Sequence, residues 1–267
     1  MHSTSSRYLK PEQWAVTAVR AISSWWSMLH LAGIALVMGF SPSTYHRANR
    51  HTTYRYIYTS TWQILPWFTL LSTLLSLVLI RIVIITALSY GLSRYALEMV
   101  VRVLVLELIP LSAALFVALR AGLAFNTAGS PLTAAMAAQD SAKFDIAQLQ
   151  LDLMPRVIAS AFSVATLATV SGLIILLLAY VNVYGLTPWG LLDYTRTVGR
   201  VFDPVVTVGF ALKTLLFGMA VAVIPVAAIL EGARRNINLS STLQPGATRL
   251  LFVLVLIEVG ALAVKYI

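Results

Sequence analysis

At 267 residues, 59% hydrophobic and only 11% charged, the chain carries more apolar surface than one soluble core could hide, since soluble domains run at roughly 45–50% apolar and roughly 25% charged residues. Lipid is therefore the expected solvent for most of it, which makes it an all-α integral membrane protein. The net charge of +9 reads as membrane topology and contact with anionic headgroups rather than nucleic-acid binding, and the absence of cysteine excludes disulfides, thiolate metal sites, iron–sulfur clusters and cysteine nucleophiles.

Residues 1–10 are polar and read as a flexible terminus with no secretory signal. From Pro11 to Leu29 the pattern is amphipathic. Trp14, Ala18, Ile22, Trp25 and Leu29 share one helical face, with Trp26 beside it. Tryptophan prefers the headgroup level, so an interfacial helix is predicted, dipping into lipid at Leu31–Phe40; a short spanning helix is the alternative. Ser41–Thr61, with Arg47, Arg50 and Arg55, reads as a cytoplasmic connection. Residues 1–61 thus form a cytoplasmic N-terminal unit, and residues 62–267 a five-helix transmembrane domain. The four histidines, His2, His30, His46 and His51, lie before the first clear span, which argues against a bis-histidine haem. No cofactor or metal is expected.

Trp62–Leu88 is the first clear span, with Arg81 placed to snorkel. Ala96–Phe125 is the second and contains VLVLELIPLSAALFVALRAG, with Glu107, Pro110 and Arg120 inside it. The polar segment 128–151 follows. Ser130-Pro131 reads there as an N-cap with proline at the first helical position, starting a short cytoplasmic helix to Gln139. Asp152–Tyr184 is the third span, whose Ala161, Ala165, Ala168 and Gly172 spacing permits close packing. Residues 185–203 suit a short periplasmic helix. Pro204–Ile229 is the fourth span and contains Lys213; Glu231–Ala247 is predicted as a polar loop; Arg249–Ile267 is the fifth span, with Glu258 near its middle.

Basic residues set the orientation. Arg7, Lys10, Arg20, Arg47, Arg50, Arg55, Lys143, Arg156, Arg234, Arg235 and Arg249 fall on the side of the N-terminus; Arg94, Arg196, Arg200 and Lys265 fall opposite. The bias predicts a cytoplasmic N-terminus and a periplasmic C-terminus.

Arg81, Glu107, Lys213 and Glu258 lie within spans. Such charges mark functional paths, or Glu107 or Glu258 pairs with Lys213 across packed helices for structural reasons, and both readings stand. Glu98 and Arg102 are spaced as a favourable helical pair. Glu107 and Arg120 lie about 20 Å apart along a helix and cannot meet. Pro110 offers no N–H, which frees a carbonyl near Glu107 and allows a kink. No GxSxG or HExxH occurs, and GFALKT (Gly209–Thr214) lacks the glycine that a phosphate loop places before its lysine. The chain is therefore not expected to be an enzyme, and any ATP-driven work needs another subunit.

Five short motifs in order, LELIP (Leu106–Pro110), LRAG (Leu119–Gly122), MPR (Met154–Arg156), LKTLLFG (Leu212–Gly218) and ATR (Ala247–Arg249), resemble the MlaE/YrbE family, the permease subunits of ABC transporters that work with MCE proteins in lipid trafficking. The resemblance runs from Tyr54 to the C-terminus. It implies an interfacial N-terminal helix, five spans, a dimer with a second permease copy or a homologous permease, a cytoplasmic ABC ATPase, a periplasmic MCE-domain protein, and residence in a bacterial inner membrane. It implies that Glu107, Pro110, Lys213 and Glu258 border a lipid-accessible cavity. It also implies that Ser130, Pro131, Leu132, Met136 and Gln139 couple to the ATPase, and that Arg120, Arg156 and Arg249 serve as structural charges. Leu106, Ile109 and Leu119 depart from the family pattern. So does Ala134–Gln139, where a Glu-Gln pair is usual, which suggests altered ATPase docking and a divergent half of a heterodimer. A non-transporting anchor subunit and a proton-coupled carrier are the alternative functions.

Overall fold

The structure, a computed structural model, describes residues 54–126, 146–234 and 239–266, together with Trp26, His30 and Gly33. Those residues are helical between short turns, with no strand among them. Five helical stretches are long and apolar enough to cross a membrane: Tyr54–Ser89, Tyr95–Ala121, Pro155–Tyr184, Pro204–Ala228 and Gly246–Val264. The all-α, five-span expectation holds. The interfacial helix lies outside the described residues, apart from Trp26, His30 and Gly33, which are helical and exposed.

The first span consists of a π-helical stretch at Tyr58–Trp62 followed by α1, Leu65–Ser89. Only one stripe of α1 is buried, Phe68, Ser72, Ser76, Ile80 and Ala87. Its other faces are leucine- and isoleucine-rich and exposed, as a helix needs when its outer solvent is lipid. The chain then turns at Gly91, whose φ of +71° is left-handed and costs glycine nothing.

The second span is three consecutive pieces: α2 (Ser93–Val100), a π-helical stretch (Val101–Leu108) and α3 (Ile109–Asn126). Pro110 explains the change of winding. It has no N–H for the Leu106 carbonyl four residues back, and its ring would crowd that carbonyl. Widening the turn relieves both, and the Ile109 N–H instead reaches Leu104, five residues back. The third span belongs to α4 (Ile146–Tyr184), which carries Pro155 internally. A 3₁₀ turn (Pro188–Gly190) and α5 (Leu191–Val201) connect it to α6 (Pro204–Arg234), the fourth span; α7 (Leu239–Tyr266) is the fifth.

α4 and α6 form the main packing interface, with α7 against α6, and α1 and α3 against α4. The core is made of Val100, Val101, Leu104, Ile109, Val164, Leu167, Ile175, Phe217 and Leu254, all essentially inaccessible. Glycine allows close approaches between helices. Gly218 abuts the Ala161 backbone, where an added Cβ would lie 2.7 Å from the backbone nitrogen, and a Cβ on Gly246 would lie 2.9 Å from Ala228 Cβ. The hydroxyl of Ser160 also donates to the Gly218 carbonyl at 2.8 Å, reinforcing the α4–α6 contact.

Three boundaries differ from the sequence expectation. The first membrane helix is already formed at Tyr54, ahead of the expected Trp62, and its polar turns find partners inside the bundle: Ser163 Oγ lies 2.8 Å from Ser60 Oγ and 2.7 Å from Thr61 Oγ1. The predicted loop Glu231–Ala247 is largely helix, since α6 runs on to Arg234 and α7 starts at Leu239. Loss of hydropathy there marks the exit from lipid, where polar residues continue a helix without penalty. α4 likewise begins at Ile146, inside the expected polar segment 128–151. The short helix predicted within 185–203 is α5.

Candidate functional site

α6 places Lys213 toward the interior, one turn before Phe217. Only 4% of the lysine remains accessible, so its ammonium must find partners within the protein. It finds three. Nζ donates to Glu107 Oε2 in the π-helical stretch of the second span. It donates to the Leu106 carbonyl at 3.2 Å, the oxygen that Pro110 cannot serve from four residues ahead. It also lies 2.8 Å from Glu258 Oε2 on α7. The last contact is an ion pair between the fourth and fifth spans. The Phe217 ring centre lies 5.8 Å from Nζ and adds a cation–π contact.

One ammonium therefore ties the second, fourth and fifth spans together near mid-depth. Two carboxylates against one ammonium give the trio a formal charge of −1. The carboxylate side chains are partly accessible, 20% for Glu107 and 14% for Glu258. Lys213 is thus the buried anchor, and the two acids are its less buried partners. Of the four residues linked in the sequence to a lipid-accessible cavity, Glu107, Lys213 and Glu258 come together here, and Pro110 bears on them through the Leu106 carbonyl that it cannot serve.

The three arginines do not join this cluster. By alternation of the spans they sit at the bundle end where the first span begins. Arg120 Nη2 donates to Gln63 Oε1 at 2.6 Å, the Arg156 guanidinium stands 5.5 Å from the centre of the Tyr56 ring, and Arg249 is half-buried near the start of the fifth span. Glu98 and Arg102 form the expected pair, with Arg102 Nη2 at 2.9 Å from Glu98 Oε1. Arg81 is exposed on α1. Ser130, Pro131, Leu132, Met136 and Gln139 lie outside the described residues, as does Lys143.

Sequence reasoning found a freed carbonyl near Glu107 but missed Lys213 as its donor, and it missed the hydroxyl cluster of Ser60, Thr61 and Ser163 and the seating of Gly218 on Ala161. The first left one signal, a proline four residues after the acceptor. The second left only serine and threonine at the edge of an apolar run. Gly218 stood at the end of a quoted motif without a reason; the close α4–α6 approach supplies it.

A family model described as Permease MlaE matches residues 53–261. No curated protein matches the chain.

Proposed function

Because the chain belongs to the MlaE permease family, a transport subunit of the lipid ABC type, we propose that it moves phospholipid between a bacterial inner membrane and a periplasmic MCE-domain partner. The work is driven by ATP hydrolysis in a separate cytoplasmic subunit, and the permease acts with a second copy or a homologous permease. The observation that carries this reading is the cluster of Glu107, Lys213 and Glu258. Charges are costly at mid-membrane and persist where they meet polar cargo or one another. Here they do both: Lys213 pays most of its desolvation through the two acids, while the acids keep accessible edges for headgroups and the apolar spans accommodate acyl chains. Helices that share one ammonium also move together when partner subunits close, so the cluster is suited to reshaping a cavity.

Ser130, Pro131, Leu132, Met136 and Gln139 form the proposed ATPase contact. The departure of Ala134–Gln139 from the usual acidic pattern supports pairing with a homologous permease that retains it. Two identical permease copies in complexes purified from native membranes would exclude that arrangement.

The test of the transport reading is Glu107→Gln, which keeps the side-chain shape and removes the charge. In proteoliposomes containing the ATPase and MCE partners, ATP-dependent lipid transfer should fall while complex assembly is retained. Unchanged transfer would remove Glu107 from the path. Unchanged assembly with no ATP-dependent transfer, even by the parent chain, would instead favour an anchoring subunit, and transfer that follows a proton gradient without ATP would favour a carrier.

A further inference from the structure

The connector between the third and fourth spans is built as a fixed surface. Gly185, with φ +71°, ends α4. Three tyrosine rings then hold the connector down: Tyr180 packs edge-on against Tyr194 with centroids 5.1 Å apart, and Tyr184 meets Tyr194 at 6.5 Å. The Tyr180 hydroxyl donates to the Thr187 carbonyl, and the Tyr194 hydroxyl donates to the Leu176 carbonyl at 2.8 Å. Burial pushes the Tyr194 phenol up from its ordinary value, so it remains a donor throughout the physiological range. Gly190 seats on Tyr184 so closely that an added Cβ would lie 2.6 Å from the ring Cγ. Val201 is buried, and Tyr194 and Val198 pack on the core. The α5 side chains that face the bundle are thereby accounted for.

The outward side chains are unusual for a water-facing turn. Leu186, Trp189 and Leu192 are 88%, 90% and 79% exposed. Leu192, Arg196 and Arg200 follow one another at four-residue spacing on α5, all exposed, so a single outward stripe passes from apolar to basic. Its occupant must offer hydrocarbon next to anions. The chain leaves one membrane-crossing helix at Tyr184 and enters the next at Pro204, which confines the connector to the lipid–water boundary. Tryptophan prefers that boundary, and arginine there meets phosphate.

We propose that the connector is a membrane-interface paddle. Leu186, Trp189 and Leu192 insert among the upper acyl carbons of the leaflet, and Arg196 and Arg200 bind phospholipid phosphates beside them. This is an interfacial helix of the monotopic kind, pinned to the bundle by tyrosines. It rests on the chain being a membrane protein and is independent of what the permease carries.

The cysteine-free chain allows a direct test. Single cysteines replacing Leu192, Trp189 or Arg196 are spin-labelled in the full chain, in nanodiscs of phosphatidylethanolamine and phosphatidylglycerol. Collisions with oxygen, which partitions into lipid, are compared with those of a water-soluble nickel chelate. The oxygen-to-nickel ratio at positions 189 and 192 should exceed that at position 196 several-fold. Nickel-dominated collisions at all three positions would overturn the proposal. So would a label at 192 that both reagents miss only when other subunits co-purify, because the surface would then cover a protein. Arg196→Glu combined with Arg200→Glu should shift the 192 label toward water, and an unchanged depth would overturn the phosphate contact.

Discussion

Lys213 has three oxygen contacts on two neighbouring spans, and its replacement affects all of them at once. Lys213→Met removes the ammonium but leaves Glu107 and Glu258 facing one another in a poorly solvated setting. Truncating one partner of a buried charge cluster costs about 3–5 kcal/mol, so detergent-solubilised protein should unfold at markedly lower temperature. Adding Glu107→Gln and Glu258→Gln to the same chain should restore much of the loss, because no uncompensated charge remains. If the triple variant is no more stable than Lys213→Met alone, the destabilisation comes from packing around the methionine. At this scale the sequence was informative for a simple reason: Glu107, Lys213 and Glu258 interrupt long apolar runs, and a charge there must have a partner. A pairing of either acid with Lys213 was one reading of the sequence; that both acids reach the same ammonium was not legible, since spans adjacent in sequence need not touch at a given depth. Pro110 marked a freed carbonyl near Glu107, but its donor was hidden for another reason. Every residue has a carbonyl, and only the winding around Pro110 turns this one toward Lys213.

Helices were easier to find than to delimit. The spans were legible because nothing but a membrane helix uses so many consecutive apolar residues, whereas their ends were read from polarity and the helices continue past it. Ser60 and Thr61 look like the end of a loop and are instead helical residues bound to Ser163. The segment from Glu231 to Ala247 is polar and mostly helical, for polarity describes the solvent and not the backbone. The α4–α6 contact is where one element most strictly constrains another. Gly218→Val would drive a branched side chain into the Ala161 backbone and strain the hydrogen bond from Ser160. Overpacking of this kind costs about 1–3 kcal/mol, and its effect should reach lipid transfer as well, because Lys213 lies just over one turn away on the same helix. Thermal unfolding and transfer assays on the one variant should both fall. Normal stability and transfer would mean that the helices separate there at little cost.

Across the whole molecule, alternation of five spans puts Arg120, Arg156 and Arg249 at one end and α5 at the other. The basic bias predicts that the arginine end faces the cytoplasm. A single cysteine at Arg55 should then react with a membrane-impermeant maleimide only after inverted vesicles are prepared, and one at Thr195 should react only from the periplasmic side. The reverse pattern would invert the topology. The family was legible as well, because five short motifs occurred in order with compatible spacing, and the match over residues 53–261 spans all of them. The proposed ATPase contact was reachable only through the resemblance. A docking segment is shaped by its partner, and Ala134–Gln139 carries few side chains whose chemistry would announce one.

The π-helical stretch of the second span has a consequence for how such a chain is altered. A π turn is an α-helix that has accommodated extra chain without breaking. Deleting one residue between Val101 and Leu108 would let the helix return to ordinary winding with the two flanking halves keeping nearly their present faces. The same deletion in the regular helix just beyond Leu108 would instead turn everything on one side by about 100° relative to the other. With Arg120 and Gln63 fixed at one end, that rotation would carry Glu107 away from Lys213. The stretch therefore behaves as a stored insertion: it is a place where this span can lose a residue and keep its faces.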